Sequence, residues 1–324
     1  MKNVLVTGAG GFIGSHLVEL LVSEGYNVKA FVHYNSWNKW GWLDMSGVKN
    51  HIQVITGDIR DYDSVSEAVK GCDTVFHLAA LIGIPYSYVS PQAYIKTNID
   101  GTYNVLQSSR QLDVEKIMVT STSETYGTAQ YVPIDESHPM VGQSPYSATK
   151  IAADQLSVSY YKSFDLPVKI VRPFNTYGPR QSARAIIPTV ISQILNGQTQ
   201  LKLGNLTPTR DLTFVKDTAR GFYEIARAEG LFGEITNIGM SEEISVGDLV
   251  ELIAKLIGVK VEVSADQQRI RPDKSEVERL FCNNSKILEN TTWKPEYSLE
   301  SGLQETIEWI KNNITYFKSD IYNV

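Results

Sequence analysis

Val4-Leu5-Val6-Thr7-Gly8-Ala9-Gly10-Gly11-Phe12-Ile13-Gly14 decides how the rest of the chain is read. A short β-favouring run enters a glycine turn at once, and Ser15 to Glu24 follows with Leu17, Leu20 and Leu21 at helical spacing, ending at Gly25. Strand, glycine turn and helix in that order make the pattern a dinucleotide site rather than a plain turn. Gly8 allows the tight turn, and Gly11 lets a pyrophosphate approach the N–H groups at the helix N-terminus. Gly14 lets that helix pack on the strand.

Working outward, further strands are expected at Asn27 to Val32, Ile52 to Thr56, Asp73 to His77, Lys116 to Val119 and Val168 to Arg172. Between them lie helical stretches: a short one at Val65 to Val69, a long one from about Pro91 to Arg110, and one from Pro145 to about Ser163. This alternation implies an α/β fold, a Rossmann-type doubly wound parallel sheet with right-handed crossovers. After Gly178 the pattern changes. Helices near Ile186 to Asn196, Val215 to Ala228, Val246 to Ile257 and Leu299 to Lys311 are joined by short strands around Leu201 and Leu212. Ser245, with Asp248 three residues later, caps the third of these. The expected division is a dinucleotide-binding domain over residues 1–178 and a smaller, mainly substrate-binding lobe over 179–324, with the chain able to cross between them.

Bulk properties narrow the class. A net charge of −6 argues against a nucleic-acid face. Cys72 and Cys282 lack metal-ligand spacing, so no metal site is expected. No apolar run is long enough to cross a bilayer and no leader pattern is seen, so the expectation is a cytoplasmic protein without a membrane partner.

Chemistry concentrates in two places. Lys116 to Gly127 begins as a buried strand and ends in Thr122-Ser123-Glu124-Thr125-Tyr126, at the carboxyl end of the sheet where ligands bind. Tyr146 and Lys150 lie four apart and share a helix face. A neighbouring ammonium favours the phenolate, and Thr122 can donate to the same substrate oxygen. Together they could take a proton from a sugar hydroxyl as hydride leaves its carbon. His77 and His138 carry no motif, and a packed neutral imidazole is expected at His77.

The second strand runs into His33-Tyr34-Asn35-Ser36 with no Asp or Glu for the adenosine ribose. Asn35 and Ser36, with Lys39 supplying charge, could instead bond a 2′-phosphate, so NADP is favoured over NAD. Trp37, Trp40 and Trp42 could stack on adenine or cap a subunit contact; a satellite core under the loop is the expected state.

With these pieces in place the chain resembles an extended short-chain dehydrogenase/reductase of the nucleotide-sugar epimerase and dehydratase group, over nearly its full length. The likeness rests on Thr7-Gly8 through Gly14, Asp58-Ile59, Leu78-Ala79-Ala80, Thr97-Asn98 and Tyr146 to Lys150. It extends through Asn175-Thr176-Tyr177-Gly178-Pro179, Arg210 to Asp217, and Arg271-Pro272 with Ser275-Glu276-Val277. The resemblance implies dinucleotide contacts from Gly8, Gly11, Phe12, Ile13, His33, Asn35, Ser36, Asp58, Ile59, Leu78, Ala79, Ala80, Thr97, Tyr146, Lys150 and Pro173. It implies sugar-nucleotide contacts from Ser87, Glu124, Asn175, Arg210 and Arg271, arginine being suited to phosphate oxygens. A homodimer through the helices after Pro91 and Tyr146 is implied in the same way.

Within this group Glu124 points to a 4,6-dehydratase, which needs a carboxylate to take the C-5 proton once C-4 is a ketone. Ser123 stands where dTDP-glucose dehydratases carry Asp, so the triplet Thr122-Ser123-Glu124 resembles the GDP-mannose dehydratase pattern. It leaves Glu124 to take the C-5 proton and to serve the leaving hydroxyl. The segment from Arg271-Pro272 to Leu280 is similar to that of GDP-sugar dehydratases, and the His33-Tyr34-Asn35-Ser36 run and Trp-rich loop are similar to bacterial dehydratases of the legionaminic acid pathway; these likenesses imply a GDP- or UDP-linked hexose, N-acetylglucosamine included. UDP-glucuronate decarboxylases share a Thr-Ser-Glu sequence, and 4-epimerases share the hydride machinery. A non-catalytic dinucleotide sensor is a further alternative, disfavoured by the intact Tyr146–Lys150 pair.

Overall fold

The computed structural model describes residues 2–269 and 272–318. Its centre is a seven-stranded parallel sheet of β1 (Asn3–Thr7), β2 (Asn27–His33), β3 (Ile52–Gly57), β4 (Thr74–His77), β5 (Lys116–Thr120), β6 (Val168–Pro173) and β7 (Ile235–Ile238). The spatial order is β7-β6-β5-β4-β1-β2-β3, every pairing being parallel. β4 and β6 are buried at every position, as strands covered on both faces must be. The order reverses between β1 and β4, which puts a ligand crevice at their carboxyl ends.

Helices α1 (Phe12–Ser23), α2 (Tyr62–Val69), α3 (Gly101–Gln111), α4 (Pro145–Phe164), α5 (Ile186–Leu195), α6 (Val215–Arg227), α7 (Val246–Ile257) and α8 (Leu299–Asn312) complete the frame. One face of the sheet is closed by Leu17, Leu21, Phe222 and Ile225 of α1 and α6. The other packs on Val65, Val105 and Leu106 of α2 and α3. A separate apolar cluster built from α5, α7 and α8, including Val190, Ile191, Ile253 and Leu303, forms the second lobe. After Gly178 the chain returns to the sheet: α6 packs on α1, and β7 pairs beside β6.

Local chemistry explains the boundaries. α4 starts with a reciprocal Ser144–Ser147 capping box and Pro145 in its first turn, and ends at Asp165 in the left-handed region. Ser245 Oγ accepts from Asp248 N at 3.0 Å to start α7, and Gly258 closes it with φ +83°. The long helix expected from Pro91 is continuous but carries a π-helical stretch over Ile95–Asp100. That extra residue per turn lets Asn98 reach Leu81, its Oδ1 accepting from Leu81 N and its Nδ2 donating to Leu81 O.

Candidate active site

The cleft at the switch point has a volume of about 1220 Å³ and runs from the glycine turn to the second lobe. Gly8 has φ +68°, and a Cβ there would lie 2.8 Å from Ala79 N; a Cβ on Gly14 would lie 2.2 Å from Gly8 O. These two glycines bring the turn, α1 and the β4 loop into contact that a side chain would block. Gly11 is the N-cap of α1 and gives no side-chain cap, so the first-turn N–H groups of α1 are left for an anion. This cradle fits the pyrophosphate of a dinucleotide.

Gly10 has a different task. The 35–45 loop folds back on it, Trp42 N donating to Gly10 O at 2.9 Å, and a Cβ at Gly41 would meet that same oxygen at 2.3 Å. Of the three tryptophans, Trp42 makes the expected satellite core, edge-on to Trp309 at 5.3 Å and Tyr316 at 5.6 Å. Trp40 packs against the main core and also lines the cleft, whereas Trp37 is 82% exposed.

His77 anchors the floor. Thr102 Oγ1 donates to Asn98 O, so it accepts from His77 Nε2 at 3.1 Å; Thr7 Oγ1 then donates to Nδ1 at 2.9 Å and accepts from Leu78 N and Ala79 N. This network assigns the neutral Nε2–H tautomer. Burial holds the His77 pKa down to about 3, with the charge of Lys150 acting the same way. An unfolded histidine titrates near 6.5, so the folded chain binds fewer protons below that pH. The stability this group contributes is full above about pH 6.5 and is lost as pH falls towards 3. Denaturant unfolding at pH 7 and pH 5 should differ by about 2 kcal/mol from this residue, and His77→Gln should remove that part of the difference.

The catalytic candidates converge. Thr122, Ser123, Glu124, Tyr146 and Lys150 all line the cleft. Thr122 Oγ1 accepts from Glu124 N at 3.3 Å, and Ser123 to Tyr126 wind into a single 3₁₀ turn. Tyr146 is buried, its ring edge-on to Tyr94 at 6.2 Å. Burial pushes its phenol above the ordinary range, the Glu124 charge adds to this, and a hydrogen bond with Thr122 opposes it. Lys150 Nζ donates to Thr120 O at 2.5 Å. Burial lowers its pKa to about 8 against the pull of Asp154, so it keeps most of its charge at neutral pH. The sequence places a lowering influence of Lys150 on Tyr146; in the folded chain burial is the largest effect on the phenol, and the groups acting on it are Thr122, Glu124, Tyr94 and Asp154.

At the far end, His33, Asn35, Lys39, Asp58 and Ile59 line the cleft. Asn35 is engaged within its own loop: Nδ2 donates to His33 O and Lys39 O, and Oδ1 accepts from Lys39 N. Ser36 is not among the lining residues. Asp58 is gripped by Arg60, which holds its carboxyl below the usual range. Leu78, Ala80, Thr97 and Pro173 also line the cleft, as do Asn175 and Arg210 on the substrate side. Asn175 Oδ1 has no hydrogen-bond partner among the described residues, and Arg210 Nη2 lies 3.4 Å from Glu276 Oε1. Ser87, expected at the substrate, is instead fully buried with its hydroxyl donating to Ile84 O at 2.6 Å, because it faces into its own short helix. Arg271 lies outside the described residues. Sequence reasoning passed over Gly10, Gly41, Arg60, Arg184, Arg269 and Gln181, all at the cleft. Arg184 and Gln181 stand just past the Gly178-Pro179 turn, the signal that would have found them. Among the described residues no cluster of His, Cys, Asp or Glu could hold a metal ion, and no helix is long and apolar enough to cross a membrane.

Residues 5–306 match the family model described as GDP-mannose 4,6 dehydratase. A putative UDP-glucose 4-epimerase of Methanocaldococcus jannaschii is 32% identical over 96% of this chain and 99% of its own. The dTDP-D-glucose 4,6-dehydratase of Homo sapiens is 30% identical over 98% of this chain and 92% of its own. Among solved structures, the dTDP-glucose 4,6-dehydratase DesIV of Streptomyces venezuelae, with NAD and TYD bound, superimposes with a TM-score of 0.88. It is 28% identical and matches over 98% of this chain and 99% of its own.

Proposed function

The chain belongs to the nucleotide-sugar dehydratase and epimerase family of extended short-chain dehydrogenases/reductases, and from that premise we propose that it is a nucleotide-sugar 4,6-dehydratase. The observation that carries this reading is Glu124, a carboxylate two residues after Thr122 in the same cleft as Tyr146 and Lys150. The substrate is a GDP- or UDP-linked hexose, with the N-acetylglucosamine form the first to test, and the product is its 4-keto-6-deoxy form.

When bound, a nicotinamide dinucleotide would supply the hydride acceptor for C-4 and the hydride donor for C-6. Gly8, Gly11, Phe12, Ile13 and the N-terminus of α1 hold its pyrophosphate. NAD is the preferred cofactor: Asn35 is engaged by its own loop, Ser36 is off the cleft, and DesIV holds NAD. NADP remains the outcome that Lys39 and His33 would favour. Thr122 orients the C-4 hydroxyl and Tyr146 removes its proton. Lys150 supplies positive charge beside the phenol, whose deprotonation burial otherwise opposes. The C-4 ketone acidifies C-5; Glu124 takes that proton and, now neutral, gives it to the departing C-6 hydroxyl, which leaves as water. C-5 regains a proton from solvent once C-6 is reduced, and the proton that Tyr146 took from the C-4 hydroxyl returns to solvent, so the count closes. Asn175 and Arg210 bind the sugar nucleotide. Apolar residues exposed on the helix running through Ile95 and Tyr103 and at the end of α4, at Phe164, suit a homodimer face.

The test is incubation with GDP-, UDP-, dTDP- and CDP-linked hexoses without added oxidant, followed by mass spectrometry. Loss of water from one of them supports dehydration. Loss of carbon dioxide from a glucuronate, or an isomer of unchanged mass, overturns it in favour of decarboxylation or epimerisation.

A further inference from the structure

Beneath the active-site loop lies a charged pair that none of these steps uses. Asp154 and Arg172 are both fully buried, Oδ2 and Nη2 lying 2.6 Å apart. Ser121 Oγ donates to the same Oδ2 at 2.6 Å and accepts from Arg172 Nε at 3.2 Å. The guanidinium carbon also lies 4.4 Å from the centre of the Tyr126 ring. That ring is fixed in turn, its hydroxyl donating to Asn237 Oδ1 at 2.8 Å.

The placement along the chain gives this cluster its meaning. Ser121 directly precedes Thr122, and Tyr126 follows Glu124 by two residues, so one guanidinium grips both ends of the loop. Asp154 stands one helical turn beyond Lys150 on α4. Loop and helix, the two elements that bring the catalytic groups, therefore meet at a single buried ion pair.

Stability is a poor account of it. Desolvating two charges is costly, and such a pair can often be replaced by well-packed apolar residues without loss. Asp154 Oδ1 and Arg172 Nη1 also lack partners among the described residues, which adds to the cost.

We propose that Arg172 and Asp154 are positioning residues that hold Thr122 and Glu124 in register with Tyr146 and Lys150, an inference that rests on the active-site reading above. A misplacement of about 1 Å at such a site costs about 100-fold in rate. Arginine is required because its planar fork serves Asp154, Ser121 and the Tyr126 face together, which a lysine ammonium cannot.

The test uses the full chain with its cofactor and two variants. Arg172→Met with Asp154→Leu removes both charges at similar volume, so that neither is stranded. Arg172→Lys keeps the charge opposite Asp154 and carries the test if the double variant does not fold. Either folded variant should match the parent in melting temperature, bound cofactor per chain and nucleotide-sugar KM. The rate of C-4 oxidation, followed as reduced-cofactor absorbance in a single turnover, should fall about 100-fold in the double variant and at least tenfold in Arg172→Lys. A rate within threefold of the parent in either folded variant overturns the proposal. C-4 oxidation is common to dehydratase, epimerase and decarboxylase, so an error in assigning the elimination would alter the parent's product and leave this comparison intact.

Discussion

Tyr146→Phe should lower turnover about 10³-fold, the range typical of a positioned general base, while leaving the fold in place. The ring would keep its edge contact with Tyr94 at 6.2 Å, so the melting temperature should hold within a degree or two. What is lost is the hydroxyl assigned to take the C-4 proton, on the helix face that Tyr146 shares with Lys150. KM for the nucleotide sugar should change little, because Asn175 and Arg210 are untouched. The measurement is a single-turnover trace of cofactor reduction: the parent shows a rise and the variant almost none. A variant within tenfold of the parent would remove Tyr146 from its role as base.

Glu124→Gln separates the two halves of the reaction. The amide keeps the size and polarity of the side chain but cannot accept the C-5 proton. Elimination should slow by about 10²- to 10⁴-fold, whereas C-4 oxidation, which does not use this carboxylate, should proceed. Removing the negative charge also takes away one influence that raises the Tyr146 pKa, so the first step should be no slower than in the parent. The expected picture is accumulation of reduced cofactor with little 4-keto-6-deoxy product. Dehydration at the parental rate would show that Glu124 serves only the loop, with its backbone N–H on Thr122.

Much of this was legible in the sequence because it depends on local chemistry. Gly8 and Gly14 sit in a short motif whose spacing fixes backbone contacts, and the structure gives each a neighbour that admits no Cβ. The Tyr146–Lys150 spacing is a helix-face relation, and the capping pair at Ser144 and Ser147 sets where that helix begins. What escaped notice depends on meetings between distant residues. Gly10 reads as one more motif glycine until the tryptophan loop is seen resting on it, more than 30 residues on. Arg172 reads as a residue in a buried strand; only the sheet order brings it between Ser121 and Asp154. Asn35 offers a donor and an acceptor at the right strand end, but the turn after it consumes both. The return of β7 to the sheet was hidden because Ile235–Ile238 is four residues long and follows a stretch patterned like the second lobe.

The central claim is that one cleft carries out internal oxidation, elimination and reduction on the same sugar. Supplying the nucleotide hexose with deuterium at C-4 and locating the label in the product by NMR tests it most directly. Dehydration as described predicts deuterium at C-6 of a 4-keto-6-deoxy sugar. Deuterium found again at C-4 of an intact, inverted hexose would contradict it.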